Sequence, residues 1–469
     1  MTVPKQLGVR PGAILDCEDA AVYAAAIWEI YPLVRDYIAA GPTLFDYAYQ
    51  LRRSPAPDEW FVKAFRCWKA FNGRSETLLA TYPLVLLVDV AGYYEHIDHR
   101  TLVSDLSGIG VDIALRETLS AALTRWSVLK GKGIPQGHSA SDLLAKLYLH
   151  DVDLLLADSG FEHLRYVDDM RVFIRDRGEA DRALIVLTRL LRARGLSLQA
   201  LKIKIVTAPE ARTIFVGPRT QIEAVSREYR EAVEAALGAE SSYMTLADLD
   251  LLLESGRLDE VPVGVIEQVF DAHFGAGEGA FSPTVLHFAL NRLAAAKSRH
   301  AVPRIGSLLK AHPEESLALL GYLQRLGAWD VESTVTELLP PDGTAFDYQR
   351  YLVLDWLFGL PTAPEVATLS EVRRLAFDRT YPSYVSAMAL AVLGKFGLPH
   401  DFEKVRQLYP DTPSPLGRTE LICCVARMEV AKRNAFLREA ETDGQGEKRA
   451  CRSVRAGHSL FDARSFAAR

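Results

Sequence analysis

HLRYVDDMRVFIRD, residues 163–176, reads as two short strands folded back on each other. Val167, Asp168 and Asp169 form the tight turn, and Met170 to Ile174 form the return strand. Upstream, YPLVLLVDV (82–90) is short, apolar and rich in Val and Leu, which favours a buried strand over a helix and leaves Asp89 at its end. Between the two, residues 101–130 are helical in pattern. DLLAKLYLHDVDLLLA (142–157) sets Leu144, Leu147, Tyr148, Leu154 and Leu155 along one helical stripe. Downstream, DRALIVLTRLLRARG (181–195) is an amphipathic helix closed by Gly195, and LKIKIV (201–206) and TIFVG (213–217) read as two further strands. Strand, helix, hairpin, helix, strand in that order makes an α+β layer, a small antiparallel sheet with helices packed on one face.

Working outward, Asp16 to about Ala80 is helical in pattern, with Trp28, Tyr31, Val34, Tyr37 and Ile38 at helix spacing and a break at RRSPAPDEW (52–60). Past residue 220 strand signals nearly vanish. SREYREAVEAALG, TLADLDLLLESG, TVLHFALNRLAAAK, ESLALLGYLQRLG, YLVLDWLFGL and YVSAMALAVLGKFG are among a run of amphipathic helices divided by Gly and Pro. A stack of HEAT-like helical hairpins and an irregular bundle fit that run almost equally well. The expected organisation is a helical entry segment over 1–80, the α+β layer over 81–220, an all-α domain over 221–440 and a basic, fraying tail over 441–469.

The chain has 469 residues and a net charge of −6, long enough for several packed cores but acidic for a protein that coats polynucleotide through Lys and Arg. A small nucleic-acid footprint with local basic residues remains compatible. The first twenty residues lack a charged start followed by an apolar stretch, and no apolar run approaches the ~20 residues that span a bilayer. A soluble, cytoplasmic protein with no membrane partner is expected. The cysteines (Cys17, Cys67, Cys423, Cys424 and Cys451) make no C-x-x-C pair, which suggests free thiols rather than disulfides or a zinc site.

Three carboxylates stand where chemistry is possible. Asp89 ends a buried strand, where an unpaired charge is costly without an ionic partner. Asp168 and Asp169 adjoin at a turn, where their repulsion is best relieved by cations. Nucleotidyl transfer needs such a set to hold a pair of Mg²⁺ ions, with Mn²⁺ as a substitute. Bland readings stand beside this one. A lone YVDD is more often a solvated acid pair, Tyr94 fits a core aromatic, and Lys202 and Lys204 alternate as solvent-facing strand residues do. His96, His99 and His138 do not have the spacing of a metal cluster and read as surface or turn residues.

Taken together, VLLVDVAGYYEHIDH (85–99), GIPQGHSASDLLAKLYL (133–149), YVDD (166–169) and GLSLQALKIKIV (195–206) resemble, in order and spacing, the successive palm motifs of reverse transcriptases. The closest resemblance is to the bacterial group that includes group II intron and retron enzymes, and it covers about residues 80–220. It implies that the α+β layer is a palm with fingers. Asp89, Asp168 and Asp169 would ligate two metal ions, with the Val90 carbonyl as an extra oxygen donor. Tyr94 would lie under the nucleotide sugar and disfavour a 2′-hydroxyl. Pro135, Gln136, Gly137 and Ser141 would support the template and the incoming base. Lys202 would approach the triphosphate as the fourth catalytic group. His138 and Asp142 stand where intron-type enzymes more often have Gly and Pro, and Lys146 replaces a common Asn, which puts the usual template grip in doubt.

A palm followed by a helical domain, without an endonuclease or maturase module, is similar to the defence-associated and abortive-infection reverse transcriptases. That likeness implies antiphage DNA synthesis in a homo-oligomer. Its partners would be dNTPs, a DNA product and an RNA template or non-coding RNA, with template-independent synthesis as the alternative. Two rivals remain. A retron- or intron-like enzyme copying a dedicated RNA predicts a basic thumb after residue 220, where LADLDLLLE is acidic. An inert palm serving as a binding scaffold predicts drifted aspartates, yet all three are present.

Overall fold

The computed structural model describes residues 2–5, 9–13, 15, 17–41, 44–56, 59–215, 263–275, 281–412 and 415–456. The chain divides into two compact units, one of Gly12–Gln221 and one of Met1–Pro11 together with Ile222–Arg469. Strands β1 (Thr2–Pro4) and β2 (Val9–Pro11) pair antiparallel and belong with the second unit, where β1 packs on helix Asp347–Gly359 and the turn Pro313–Glu315.

The first unit opens with α1 (Cys17–Ala39). The entry segment is not helical throughout. At the Pro-rich break, β3 (Leu51–Ala56) pairs with β4 (Glu59–Phe61) as an isolated two-stranded ribbon, a setting in which Pro55 costs little because one strand edge has no ladder to feed. The Tyr31 hydroxyl donates to the carbonyls of Arg52 (2.9 Å) and Trp60 (2.8 Å), which bolts this ribbon to α1. Helix α2 (Ala64–Leu78) follows.

The sheet is built from β5 (Leu84–Asp89), α3 (Tyr93–His96), α4 (His99–Gly108), α5 (Ile113–Trp126), α6 (Ser139–Asp158), β6 (Glu162–Tyr166), β7 (Asp169–Ile174), α7 (Arg177–Ala193), a 3-10 turn at Ala200–Lys202 and β8 (Lys204–Thr207). Its order is β6-β7-β5-β8, antiparallel throughout, so β5 and β7 lie at the centre. Asp98, Asp112 and Asp176 cap α4, α5 and α7 by accepting from Thr101, Ala114 and Glu179 backbone N–H groups.

Helices cover both faces of the sheet, not one. Leu86, Val88, Met170, Val172 and Ile174 pack with Leu143, Leu144 and Leu147 of α6 and Leu187 of α7. On the opposite face Val85, Leu164 and Phe173 pack with Phe71 and Leu78 of α2 and with Ala211 and Phe215. Residues 208–215 are helical, which corrects the strand expected at 213–217 over its described part. The physical reason is burial. Ala208, Ala211 and Phe215 recur at helix spacing and turn one face inward, and Phe215 lies 3.5 Å from the Arg171 guanidinium.

In the second unit every described element from residue 263 onward is helical, and the core is continuous from Ile266 to Val454. Pro283–Ala295, Ser316–Leu326, Asp347–Gly359, Ser383–Phe396, Pro415–Cys424 and Gln445–Arg455 pack each on the next. Val302–Ala311, Val366–Phe377, Pro399–Leu408 and Val430–Ala440 pair with members of that row. Helical hairpins thus stack in sequence, as in the HEAT-like alternative. The helices expected over SREYREAVEAALG and TLADLDLLLESG lie outside the described residues. The tail corrects in part: Gln445–Arg455 is a helix with Ala450, Cys451 and Val454 buried and the Glu447 carboxylate 2.9 Å from Arg418. Its basic residues fall on the exposed face, which is why composition alone suggested fraying. Among the described residues Cys67, Cys423, Cys424 and Cys451 are buried and form no disulfide, and no described helix is long and apolar enough to cross a membrane.

Candidate active site

Antiparallel pairing of β5 with β7 puts Asp89, the last residue of one, opposite Asp169, the first of the other. Tyr166 pairs with Asp169, so the link between β6 and β7 is a two-residue turn of Val167 and Asp168. Val167 has φ of 61°, a left-handed conformation that costs a β-branched residue about 1–3 kcal/mol and persists only when its surroundings over-determine it. They do. The Asp168 carbonyl accepts from the Val90 N–H (3.2 Å), and the Val167 carbonyl accepts from Arg165 Nη1 (2.9 Å). Arg165 is 1% exposed and is itself clamped by Asp153 through Nε (3.0 and 3.1 Å) and Nη2 (2.6 Å), with Asp46 at 3.2 Å.

The three carboxylates stand near enough for Asp169 to feel the charges of the other two. Burial and the charges of Asp168 and Asp89 push Asp169 up to about 6, against the pull of Lys202 and Arg171. Asp89 is buried and ion-paired with the Lys202 ammonium, and that hydrogen bond raises the lysine above its ordinary value. The backbone beside them is knitted to the loop bearing Lys202: Gln199 N–H donates to the Asp89 carbonyl (2.8 Å) and Ala91 N–H to that of Ser197 (2.8 Å). Carboxylates and a backbone carbonyl are hard oxygen donors, the set that suits Mg²⁺, and excess negative charge is what such an ion relieves. Among the described residues no three His, Cys, Asp or Glu side chains converge closely enough to hold an ion as they stand. The cation engaged at Asp89 is Lys202.

Tyr94 follows the same strand end. Its side chain is buried, its ring stands edge-on to Tyr93 at 5.6 Å, and its hydroxyl donates to Asp142 Oδ1 at 2.7 Å. Its carbonyl accepts from Ile134 N–H (2.9 Å), which ties it to the Pro135-Gln136-Gly137 turn. Gly133 permits this approach: its φ is +93°, and a Cβ there would lie 3.1 Å from the Glu95 carbonyl oxygen. Ser141 is fully buried and donates to the Pro135 carbonyl (2.6 Å) while bonding the Tyr23 hydroxyl (2.8 Å). It braces the turn from behind. Gln136 is half-buried and Gly137 exposed, so these two stand on the open side.

The departures from the expected motif have structural partners. Lys146 is buried, and its ammonium donates to Asp46 Oδ2 (3.0 Å) and to the carbonyls of Asp46 (3.1 Å) and Ala48 (2.8 Å); burial lowers its pKa. His138 is half-buried with a pKa lowered by burial. His99 corrects the surface reading, since it is buried with Nε2 on the Gly133 carbonyl at 2.7 Å. Sequence reasoning passed over Asp46, Asp153 and Arg165. The available signal was in α6, where Lys146 and Asp153 stand seven residues apart on an otherwise apolar stripe.

The family described as "Reverse transcriptase (RNA-dependent DNA polymerase)" matches residues 60–232. No curated protein matches the chain. Among solved structures, telomerase from Candida albicans in complex with a TWJ fragment of telomeric RNA is similar at 12% identity and a TM-score of 0.33, covering 83% of this chain and 63% of that one. A likeness that slight carries no argument about this chain. The family match does, and residues 60–232, a little over a third of the chain, are accordingly a domain of the reverse transcriptase type.

Proposed function

We propose that the chain polymerises deoxynucleotides, with Asp89, Asp168 and Asp169 as ligands of two Mg²⁺ ions and the Val90 carbonyl as a further donor. The observation that carries this is the placement of Asp89 directly across from Asp169, with Asp168 at the adjoining turn, inside a reverse transcriptase domain. The ions, when bound, activate the attacking 3′ oxygen and stabilise the leaving pyrophosphate. The protein's own groups do the rest. Strain at Val167, held by Arg165, fixes where Asp168 stands. Lys202, whose side chain is 59% exposed, is free to leave Asp89 once its charge is otherwise met and to stabilise the triphosphate. The Tyr94 ring underlies the sugar, and Gln136 and Gly137 face the base and template.

An antiphage role is supported by the resemblance to defence-associated enzymes and by the stacked helical hairpins that follow the palm. The net charge of −6 favours a short nucleic-acid footprint over a long one. Purified protein given Mg²⁺ and each dNTP, with and without template and primer, tests this: labelled DNA is expected, and protein mass distinguishes DNA attached to the chain from free cDNA. No incorporation under any condition sinks the proposal. Asp168→Ala should abolish incorporation while leaving thermal unfolding cooperative; persistent activity means that the metal assignment is wrong.

A further inference from the structure

Asp142 is where this chain departs from the motif it resembles, and its carboxylate is engaged in a way that a proline at the same place cannot reproduce. It lies in the first turn of α6, immediately after the Pro135-Gln136-Gly137 turn. Its Oδ1 accepts from the Tyr94 hydroxyl at 2.7 Å, and Tyr49 lies near enough to bear on the charge of the same carboxylate. Tyr49 holds a left-handed backbone, φ 45°, and its ring lies 5.2 Å from that of Phe61 in β4. Three segments therefore come together around one carboxylate: the stretch that follows Asp89, the start of α6, and the loop that leads into the β3–β4 ribbon.

Direction in this cluster is set by chemistry. Burial raises both tyrosines above the ordinary phenol value, so each keeps its proton, and Tyr94 is the donor to Asp142. Burial also pushes Asp142 up to about 6, and at neutral pH it remains the charged acceptor. Tyr93 fixes one edge of the Tyr94 ring, and Asp142 fixes the hydroxyl end. A hydrogen bond to a charged acceptor is among the stronger restraints a buried side chain can have.

We propose that Asp142 is a specificity-determining residue acting through Tyr94, holding that ring at a fixed depth so that a nucleotide with a 2′-hydroxyl is excluded. The inference rests on the reading of Tyr94 as the residue beneath the sugar. Asp142 is a positioning residue here and does not itself touch the nucleotide.

The test is steady-state incorporation of one dNTP and its matched rNTP by the full chain with Mg²⁺, read as the ratio of the two kcat/KM values. General loosening of the fold lowers both values together and leaves the ratio fixed, whereas a displaced ring changes the ratio. Tyr94→Phe and Asp142→Leu each remove the hydrogen bond and should lower discrimination roughly tenfold, the size of one hydrogen bond to a charged acceptor. The double variant should lose no more than either alone. Asp142→Asn, which still presents an accepting oxygen, should stay within about threefold of the parent. If Asp142→Leu does not fold, Tyr94→Phe removes the same bond from the other end and decides alone. Folded variants that discriminate as the parent does overturn the proposal. Tyr94→Ala separates the two layers. A change in Tyr94→Ala with none in Tyr94→Phe or Asp142→Leu leaves Tyr94 beneath the sugar and overturns the role of Asp142. No change in Tyr94→Ala, or no incorporation of either nucleotide by the parent, overturns both.

Discussion

Asp153 has no exposed side-chain surface, and Arg165 meets it with three hydrogen bonds while reaching past it to the Val167 carbonyl. Burial would raise this carboxyl, but the Arg165 charge, with His163 beside it, holds it well below the usual carboxylate range. A folded-state pKa below the unfolded value of about 4 contributes stability that is fully present above that pH and is lost as pH falls toward the lowered value. Asp153→Asn leaves a buried guanidinium short of charge and should cost about 3–5 kcal/mol at pH 7 in urea unfolding. The gap to the parent should narrow below pH about 4, where the parent begins to lose the same contribution. A gap that holds constant from pH 7 to pH 3 contradicts this account.

At the scale of elements, the loop that leads from α5 to the Pro135 turn and lies against α3 depends on Gly133, where a methyl group would face the Glu95 backbone oxygen and where φ is +93°. Gly133→Ala should destabilise by about 1–3 kcal/mol, read from the denaturant midpoint at unchanged m-value. A midpoint equal to the parent's would mean that this segment is not under the constraint described. The elements around the site differ in how far they could be read without a structure. Asp89, Asp168 and Asp169 are legible because each lies inside a local motif, at a strand end or a two-residue turn. Asp142 stood out only as an anomaly, because its partners Tyr94 and Tyr49 are distant in sequence. Lys146 is the same case: its acceptors Asp46 and Ala48 lie about a hundred residues away. The misread strand at 213–217 failed for a related reason. Ile214, Phe215 and Val216 favour strands by local propensity, while contact of Phe215 with Arg171 and of Ala211 with the sheet favours a helix, and the tertiary contact prevails.

At the scale of the whole molecule, the hairpin stack was undecided in sequence because its members share no consensus, although helices in the packed row begin at intervals of roughly 30 residues. Connectors of different kinds, such as the 3-10 turns Pro313–Glu315 and Trp329–Val331, disturb the register that a repeat search relies on. What composition could not reveal at all is that the first residues of the chain belong with the last. Residues 1–11 join the helical unit, and β1, with Pro4 buried, lies against Asp347–Gly359. Removing residues 1–11 takes a small apolar contact from the helical unit and none of the ladder from the sheet, at a cost of about 1–3 kcal/mol to that unit alone. Hydrogen exchange on the shortened chain should therefore quicken across residues 347–359, while the amides of β5 and β7 keep their protection. Unchanged exchange at 347–359 would show that the N-terminal hairpin contributes nothing there. Loss of protection spreading to β5 would show instead that the sheet depends on the helical unit for its stability.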